Sequence, residues 1–292
     1  MHIILGATGH VGSAVATALL DGGEPVTVVT RDRDRAELFR RRGATVAVAD
    51  IGDPAGLRAV LQRGRSAFVL MPPADPATDT VAEERRTVAR IVEALAGAGL
   101  QKAVVHSTYG AQSGEGLGDF GVLYELEQAV RALGIPTSVL RAAYYMSNWD
   151  AALDTAQREG VVHTFFPAGF ALPMVAPADL GRVAARLLTE ETNQAGIHYV
   201  EGPEPYTADD VARAFADALG RDVRVAETPR AAWVDAFRAL GFAPAAATSY
   251  ARMTGLTLDN LERPAAPERG PTTLTAYIAA LARQQRGYDP VA

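Results

Sequence analysis

A short apolar run, Met1-His-Ile-Ile-Leu5, leads into a glycine-rich turn and then into Ser13 to Leu20, whose alanines and leucines recur at helical spacing. That order predicts strand, loop, helix. The alternation continues along the first half of the chain. β-Branched or apolar runs bounded by glycine, proline or charge predict strands at 25–30, 44–49, 66–71, 102–107 and 136–140. Helical periodicity fills the intervals at 56–62, 83–98 and 119–133. Strands and helices in this rhythm predict an α/β fold, a doubly wound parallel Rossmann sheet, over residues 1–145.

Beyond Arg141 the rhythm breaks. An aromatic stretch, Tyr144-Tyr-Met-Ser-Asn-Trp149, leads into a helix to about residue 159, and short strands near 161–166 and 197–201 surround a helix at 178–188. Helices are then predicted at 208–219, opened by the N-cap Thr207 with Asp209 and Asp210 behind it, at 229–240, and at 272–284 after a proline-rich link over 263–271. Residues 146–292 therefore read as a smaller α+β substrate lobe, some of whose strands return to the first sheet.

Composition narrows the chemistry. With 292 residues, 48% hydrophobic and 21% charged, the chain can bury a sizeable core and has no disordered character. A net charge of −6 argues against nucleic acid as a partner, which would require a basic face. There is no cysteine, so disulfides and thiol catalysis are excluded, and the histidines (His2, His10, His106, His163, His198) have no metal-binding spacing. No apolar run reaches the roughly 18 residues of a membrane span and no signal peptide precedes the first strand, so a cytoplasmic protein is expected.

The candidate chemistry starts in the first turn, Gly6-Ala-Thr-Gly9-His-Val-Gly12. Gly6 permits a tight exit from the strand, Gly9 allows backbone to approach a pyrophosphate, and Gly12 lets helix pack closely on strand. The helix N-terminus behind them offers free N–H groups to the phosphates. Gly6, Thr8, Gly9, His10, Val11 and Gly12 are thus candidate dinucleotide contacts. The second predicted strand ends in Thr30-Arg31. An acid there would accept the ribose hydroxyls of NAD, whereas an arginine pairs with the 2′-phosphate of NADP, so NADP(H) is expected over NAD(H). The further arginines Arg40 to Arg42 read as a solvated helix face. Asp50 and Ile51, at the end of the third strand, can meet the adenine edge.

With these residues in view, the sequence resembles the NmrA-like branch of the atypical short-chain dehydrogenase/reductases, which includes quinone and triphenylmethane-dye reductases. The resemblance rests on Gly6 to Gly12, Thr30-Arg31, Pro72-Pro73, Ser107-Thr-Tyr-Gly-Ala111, Leu140-Arg-Ala-Ala-Tyr-Tyr-Met-Ser-Asn-Trp149 and Ala176-Pro-Ala-Asp-Leu180. It implies an extended NADP(H) with phosphates over Gly9 to Val11 and nicotinamide near Met71, Pro72, Pro73, Ala143 and Tyr144, and Ser107 is a further candidate cofactor contact. It also implies a substrate cleft between the two lobes. The family's activities run from reduction of quinones and dyes to redox sensing without turnover.

One element of dehydrogenase chemistry is missing. Short-chain dehydrogenases pair a tyrosine acid with a lysine four residues on; here Tyr124 is followed at that distance by Gln128. Many relatives in the branch instead carry a lysine one turn before a helix glutamate corresponding to Glu127, and that position is Leu123. The chain has one lysine, Lys102, at the start of the fifth strand and about 16 Å from its cofactor end. Ser107 and Tyr124 remain as candidate catalytic groups, beside the blander readings of a turn former and a packed helix tyrosine. Thr108, Tyr109, Tyr145, Met146, Asn148 and Trp149 are candidate substrate contacts, with core packing and an N-cap as the alternatives. The expectation is an NADPH-dependent reductase of a small conjugated acceptor, in which positioning replaces acid assistance. The rivals are an NADP(H)-binding regulator with a protein partner, and a tailoring enzyme that retains its cofactor without net redox chemistry.

Overall fold

The computed structural model describes residues 1–191, 195–260 and 262–286. The first strands and helices in chain order are β1 (His2–Ile4), α1 (His10–Asp21), β2 (Val26–Thr30), α2 (Glu37–Arg41), β3 (Thr45–Val48), α3 (Pro54–Leu61), β4 (Ser66–Val69) and α4 (Thr80–Leu95). Then come β5 (Lys102–Thr108), α5 (Asp119–Ala132), β6 (Thr137–Ala142), β7 (Tyr144–Tyr145), α6 (Ala152–Glu159), β8 (Val161–Thr164), β9 (Leu172–Val175) and α7 (Pro177–Thr189). The last are β10 (Gly196–Glu201), β11 (Pro205–Tyr206), α8 (Ala208–Leu219), β12 (Arg224–Glu227), α9 (Trp233–Ala239), α10 (Pro244–Asp259), β13 (Glu268–Arg269) and α11 (Leu274–Arg286).

The main sheet has the order β13-β10-β6-β5-β4-β1-β2-β3, and every pairing in it is parallel. The doubly wound α/β reading is borne out. Strand order reverses between β1 and β4, and in such sheets ligands lie across the carboxyl ends of the strands at that switch point. One face packs against α1 and α7 around Val15, Leu19, Phe68, Val104 and Leu180. The other packs against α3, α4 and α5 around Leu57, Ile91, Val105 and Leu126. β4 and β5 are buried along nearly their whole length, which is why they read as continuous apolar runs rather than alternating ones.

β10 and β13, from the second half of the chain, extend this sheet. α7 lies against α1 so closely that a Cβ on Gly181 would stand 2.5 Å from the Ala14 carbonyl carbon. The remaining small sheets, β11-β9-β7 and β12-β8, enclose a third core containing Met146, Trp149, Leu153, Met174 and Phe215.

Several boundaries differ from the sequence reading. The helix expected at 83–98 begins at Thr80, because Asp79 accepts a hydrogen bond from the Ala82 N–H as N-cap, and it stops at Leu95 ahead of the positive-φ Gly97. The stretch 229–240 forms a single 3₁₀ turn followed by the short α9. α10 was not anticipated: its sixteen residues bury only Ala246, Ala247 and Gly255, so no apolar stripe marks it.

Candidate functional site

The phosphate loop has the geometry its glycines require. Gly6 takes φ +66°, and a Cβ on Gly12 would stand 2.2 Å from the Gly6 oxygen. Both glycines are therefore needed by the chain itself. Gly9 is different: it is extended, and a Cβ there would touch only the Gly6 oxygen, at 3.5 Å. Internal packing does not call for a glycine at this position, so its missing side chain leaves a concavity over the loop of the kind a pyrophosphate fills. α1 begins immediately behind it with no side-chain cap and no acidic residue in its first turn. Its first N–H groups and dipole therefore face outward, suited to an anion. The residues fit a dinucleotide.

At the end of β2, Arg31, Arg33 and Arg35 are exposed and form no ion pair among the described residues. Thr30 Oγ1 organises the turn, accepting from the Asp32 N–H at 3.1 Å and donating to the Asp32 carbonyl at 2.8 Å. By contrast Arg40 and Arg41 pair with Glu37, and Arg42 with Asp21 at 2.6 Å. After β3, Asp50 accepts from the Gly52 N–H at 2.6 Å, which fixes the turn beneath any adenine, and Ile51 packs on the core beside it. Across the loop, exposed His10 lies 3.8 Å from Asp150, which also accepts from the Tyr277 hydroxyl at 2.8 Å. The phosphate loop and the second half of the chain thus meet over the cleft.

The carboxyl end of β5 divides its residues between the two faces of the sheet. Ser107 is fully buried on the α5 side and donates its hydroxyl to Glu127. Glu127 also accepts from Arg141 Nε at 3.0 Å and Nη2 at 2.9 Å. Arg141 Nη1 donates to the Tyr199 oxygen at 3.1 Å, and the Tyr199 hydroxyl donates to Glu262 at 2.6 Å; Glu262 in turn accepts from the Gly110 N–H at 2.6 Å. Tyr109 joins the same region, donating to Glu201 at 3.2 Å, and Glu201 pairs with Arg269 at 2.6 Å. The Ser107 proton is committed inside this network. Tyr124, half-buried on α5, makes no side-chain hydrogen bond among the described residues.

On the opposite face stands His106, which the sequence did not single out. Its Nε2 lies 2.6 Å from the Tyr145 hydroxyl, and Tyr145 stacks on the ring. Burial pushes the imidazole down to about 4 and raises the Tyr145 phenol. The signal that could have revealed the pair is the second-residue alternation of β5, which sends His106 and Ser107 to different faces. Glu84 of α4, buried, and Asp119 at the start of α5, half-buried, form a carboxyl pair. Glu84 Oε1 accepts from the Ala74 N–H at 3.1 Å, while Glu84 Oε2 and Asp119 Oδ1 are buried with no well-formed hydrogen bond among the described residues. Burial, then the Asp119 charge, pushes Glu84 up to about 8, and burial raises Asp119 as well.

Among the other candidates, Met71 is buried while Pro72 is half-buried and Pro73 exposed; Ala143 is buried beside β10. Tyr144 packs edge-on against Phe166 at 5.9 Å and lies beside Trp149. Met146 and Trp149 are core residues of the second half, Asn148 is exposed, and Thr108 is half-buried. Lys102 is far from all of these. Its ammonium donates to the Leu187 carbonyl at 2.9 Å and to those of Glu190 and Glu191, where it closes the carboxyl end of α7.

Comparison with known proteins places this arrangement. The profile of the NmrA-like family matches residues 2–259. A (4-alkanoyl-5-oxo-2,5-dihydrofuran-3-yl)methyl phosphate reductase from Streptomyces griseus is 31% identical over 231 residues, which is 78% of this chain and 77% of the relative. An NAD(P)H azoreductase from Xenophilus azovorans is 25% identical over 225 residues, covering 77% of this chain and 76% of its own. The structure of the Citrobacter sp. triphenylmethane reductase complexed with NADP(H) superimposes with a TM-score of 0.79 at 20% identity, covering 97% of this chain and all of that one.

Proposed function

The chain belongs to the NmrA-like family, and from that premise we propose that it is an NADPH-dependent reductase of a small, planar, conjugated acceptor. The observation that carries the reading is the glycine at position 9, which the fold does not require and a pyrophosphate does. Gly9, His10 and Val11 hold the phosphates at the uncapped N-terminus of α1, and Arg31, free of any ion pair among the described residues, takes the 2′-phosphate. The bound nicotinamide supplies hydride; the protein's part is to hold the acceptor against it and to exclude water.

The related reductases support the acceptor class. The Streptomyces griseus relative is named for a ring whose double bond is conjugated to carbonyl groups, and the Xenophilus azovorans relative for azo compounds. Both acceptors spread the arriving negative charge over a conjugated system, which lessens the demand for a strong acid. A site with no lysine near its cofactor end suits such acceptors. Phe166 and Phe170 stack on one another at 5.9 Å with Tyr144 edge-on to Phe166, and this cluster in the second half offers aromatic surface for a planar substrate.

The test is to mix purified protein with NADPH and, in turn, a quinone, an azo dye and a cyclic enone. NADPH absorbance is expected to fall with at least one acceptor at a rate proportional to enzyme. Tight binding of NADPH with no consumption on any acceptor would replace this reading with that of a dinucleotide-responsive regulator.

A further inference from the structure

The proton that must accompany the hydride has no obvious source, since Ser107 is committed to Glu127 and the one lysine closes α7. His106 and Tyr145 offer one. The imidazole is buried to 6% exposure, with Phe68 of β4 at 5.8 Å from its ring centre and Tyr145 stacked on it. Nδ1 has no hydrogen-bond partner among the described residues, whereas Nε2 is 2.6 Å from the Tyr145 oxygen. Of the two neutral tautomers, one would bury an unpaired N–H at Nδ1. The other leaves only a lone pair there and places the N–H on Nε2, donating to Tyr145. A buried unpaired donor is the rarer and costlier arrangement. Tyr145 therefore accepts from His106, and its own O–H is left to point elsewhere. Tyr145 is half-buried, one residue past Tyr144 at the carboxyl end of the sheet.

We propose that Tyr145 is the proton donor to the acceptor's oxygen and that His106 is its positioning residue, holding the tyrosine oxygen with a neutral N–H where a tyrosine–lysine pair uses an ammonium. The inference rests on the reductase reading above. As hydride reaches the conjugated system and negative charge develops on oxygen, the Tyr145 O–H bond breaks and an O–H bond forms on the product. The phenolate left behind keeps the His106 N–H as its hydrogen-bond donor and recovers a proton from water. Net, one hydride and one proton are added to the acceptor. Before the transfer the imidazole is neutral, because its burial holds it well below its ordinary range. The charged group that acts on Tyr145 from α5 is Asp119, itself beside Glu84 of α4, and both carboxyls are raised towards their neutral forms. From β4, the Phe68 ring faces the imidazole.

Two measurements test this. Nitrogen NMR of the imidazole in protein without cofactor should show the neutral Nε2–H tautomer at neutral pH. An imidazolium, or a proton on Nδ1, would overturn the pairing. Steady-state kinetics should then compare a quinone, which needs a proton with its hydride, with a cationic triphenylmethane dye, which needs none. Tyr145→Phe is expected to lower kcat on the quinone by about 10²–10³-fold while leaving the dye nearly unaffected. His106→Leu should lower the quinone kcat with little change in KM, and His106→Gln, which keeps an N–H near the same place, should restore part of it. Equal losses on both acceptors, or no loss on the quinone, would overturn the proposal while an active wild type left the reductase reading standing. A wild type inert to every acceptor would remove both.

Discussion

Arg31 and Arg141 each stand at or near the carboxyl end of a parallel strand, and they use their charge in opposite ways. Arg31 is exposed and has no carboxylate within ion-pair distance among the described residues. Arg141 is buried, clamped on Glu127 by two hydrogen bonds and on Tyr199 by a third. The difference separates two kinds of polar group along one sheet edge. A cation left open beside the phosphate loop is available to a ligand; a cation saturated by its own chain is structure, however close to the cleft it lies. The contrast between Ser107 and His106 repeats the lesson one residue apart, since the first has its proton committed and the second leaves a tyrosine proton free.

The largest effect should come from the saturated side. Glu127→Ala strips the buried Arg141 guanidinium of its two-bond partner and, of carboxylates among the described residues, leaves it only the longer 3.8 Å contact with Glu262, and a loss of about 3–5 kcal/mol of stability is expected in urea unfolding. Adding Arg141→Met should recover much of it, because removing both charges also removes the desolvation cost. If Glu127→Ala were neutral, the network would not be the structural unit described.

The open side should respond in binding and not in stability. Arg31→Asp is expected to weaken NADPH by about 10–100-fold, the size of a lost charge-assisted bond, with a much smaller change for NADH and an unaltered unfolding midpoint. Titration of both dinucleotides checks it, and parallel losses for the two would take Arg31 out of the 2′-phosphate role. Gly9→Ala sharpens the same point with a smaller expected loss: the folded chain has room for the methyl group, so weaker NADPH binding with unchanged stability would locate the phosphates over this residue.

The pH response is the smallest effect and has opposite signs on the two faces. Glu84 is raised to about 8, so the folded state holds its proton while the unfolded chain releases it above its ordinary value; stability falls as pH rises through that window. His106 is lowered to about 4, so the unfolded chain takes up the proton first, and stability falls as pH drops from the ordinary histidine range towards 4. Melting temperatures across pH should therefore show Glu84→Gln flattening the alkaline limb and His106→Leu flattening the acid limb. Unchanged limbs in either variant would remove that group as the cause.

How much of this could be read from the chain follows from the range of each interaction. The glycine-rich turn after β1 was legible because the positive φ of Gly6 and the approach of Gly12 to the Gly6 oxygen are set within one turn of backbone, and the alternating strands were legible because burial on both faces leaves continuous apolar runs. α10 was not, since its helix is held by Ala246, Ala247 and Gly255 and by the Ala243 N–H donating to the Pro76 carbonyl at 2.8 Å, neither of which leaves a periodic mark. The count of lysines foretold that Lys102 could not serve the cofactor, but not what it does instead, because its partners are carbonyls more than eighty residues away. The His106–Tyr145 contact spans 39 residues and rests on strand register, which composition and spacing do not encode.

The position of Lys102 has a practical consequence. The residue is 5% exposed and, among the described residues, its ammonium donates to three backbone carbonyls, so the folded chain offers amine-reactive reagents its α-amino group ahead of its one lysine. Acylation of a second amine then reports, one event per molecule, the opening of β5 from α7. A label and a mass spectrometer would read out the breathing of the sheet's centre without any engineered probe.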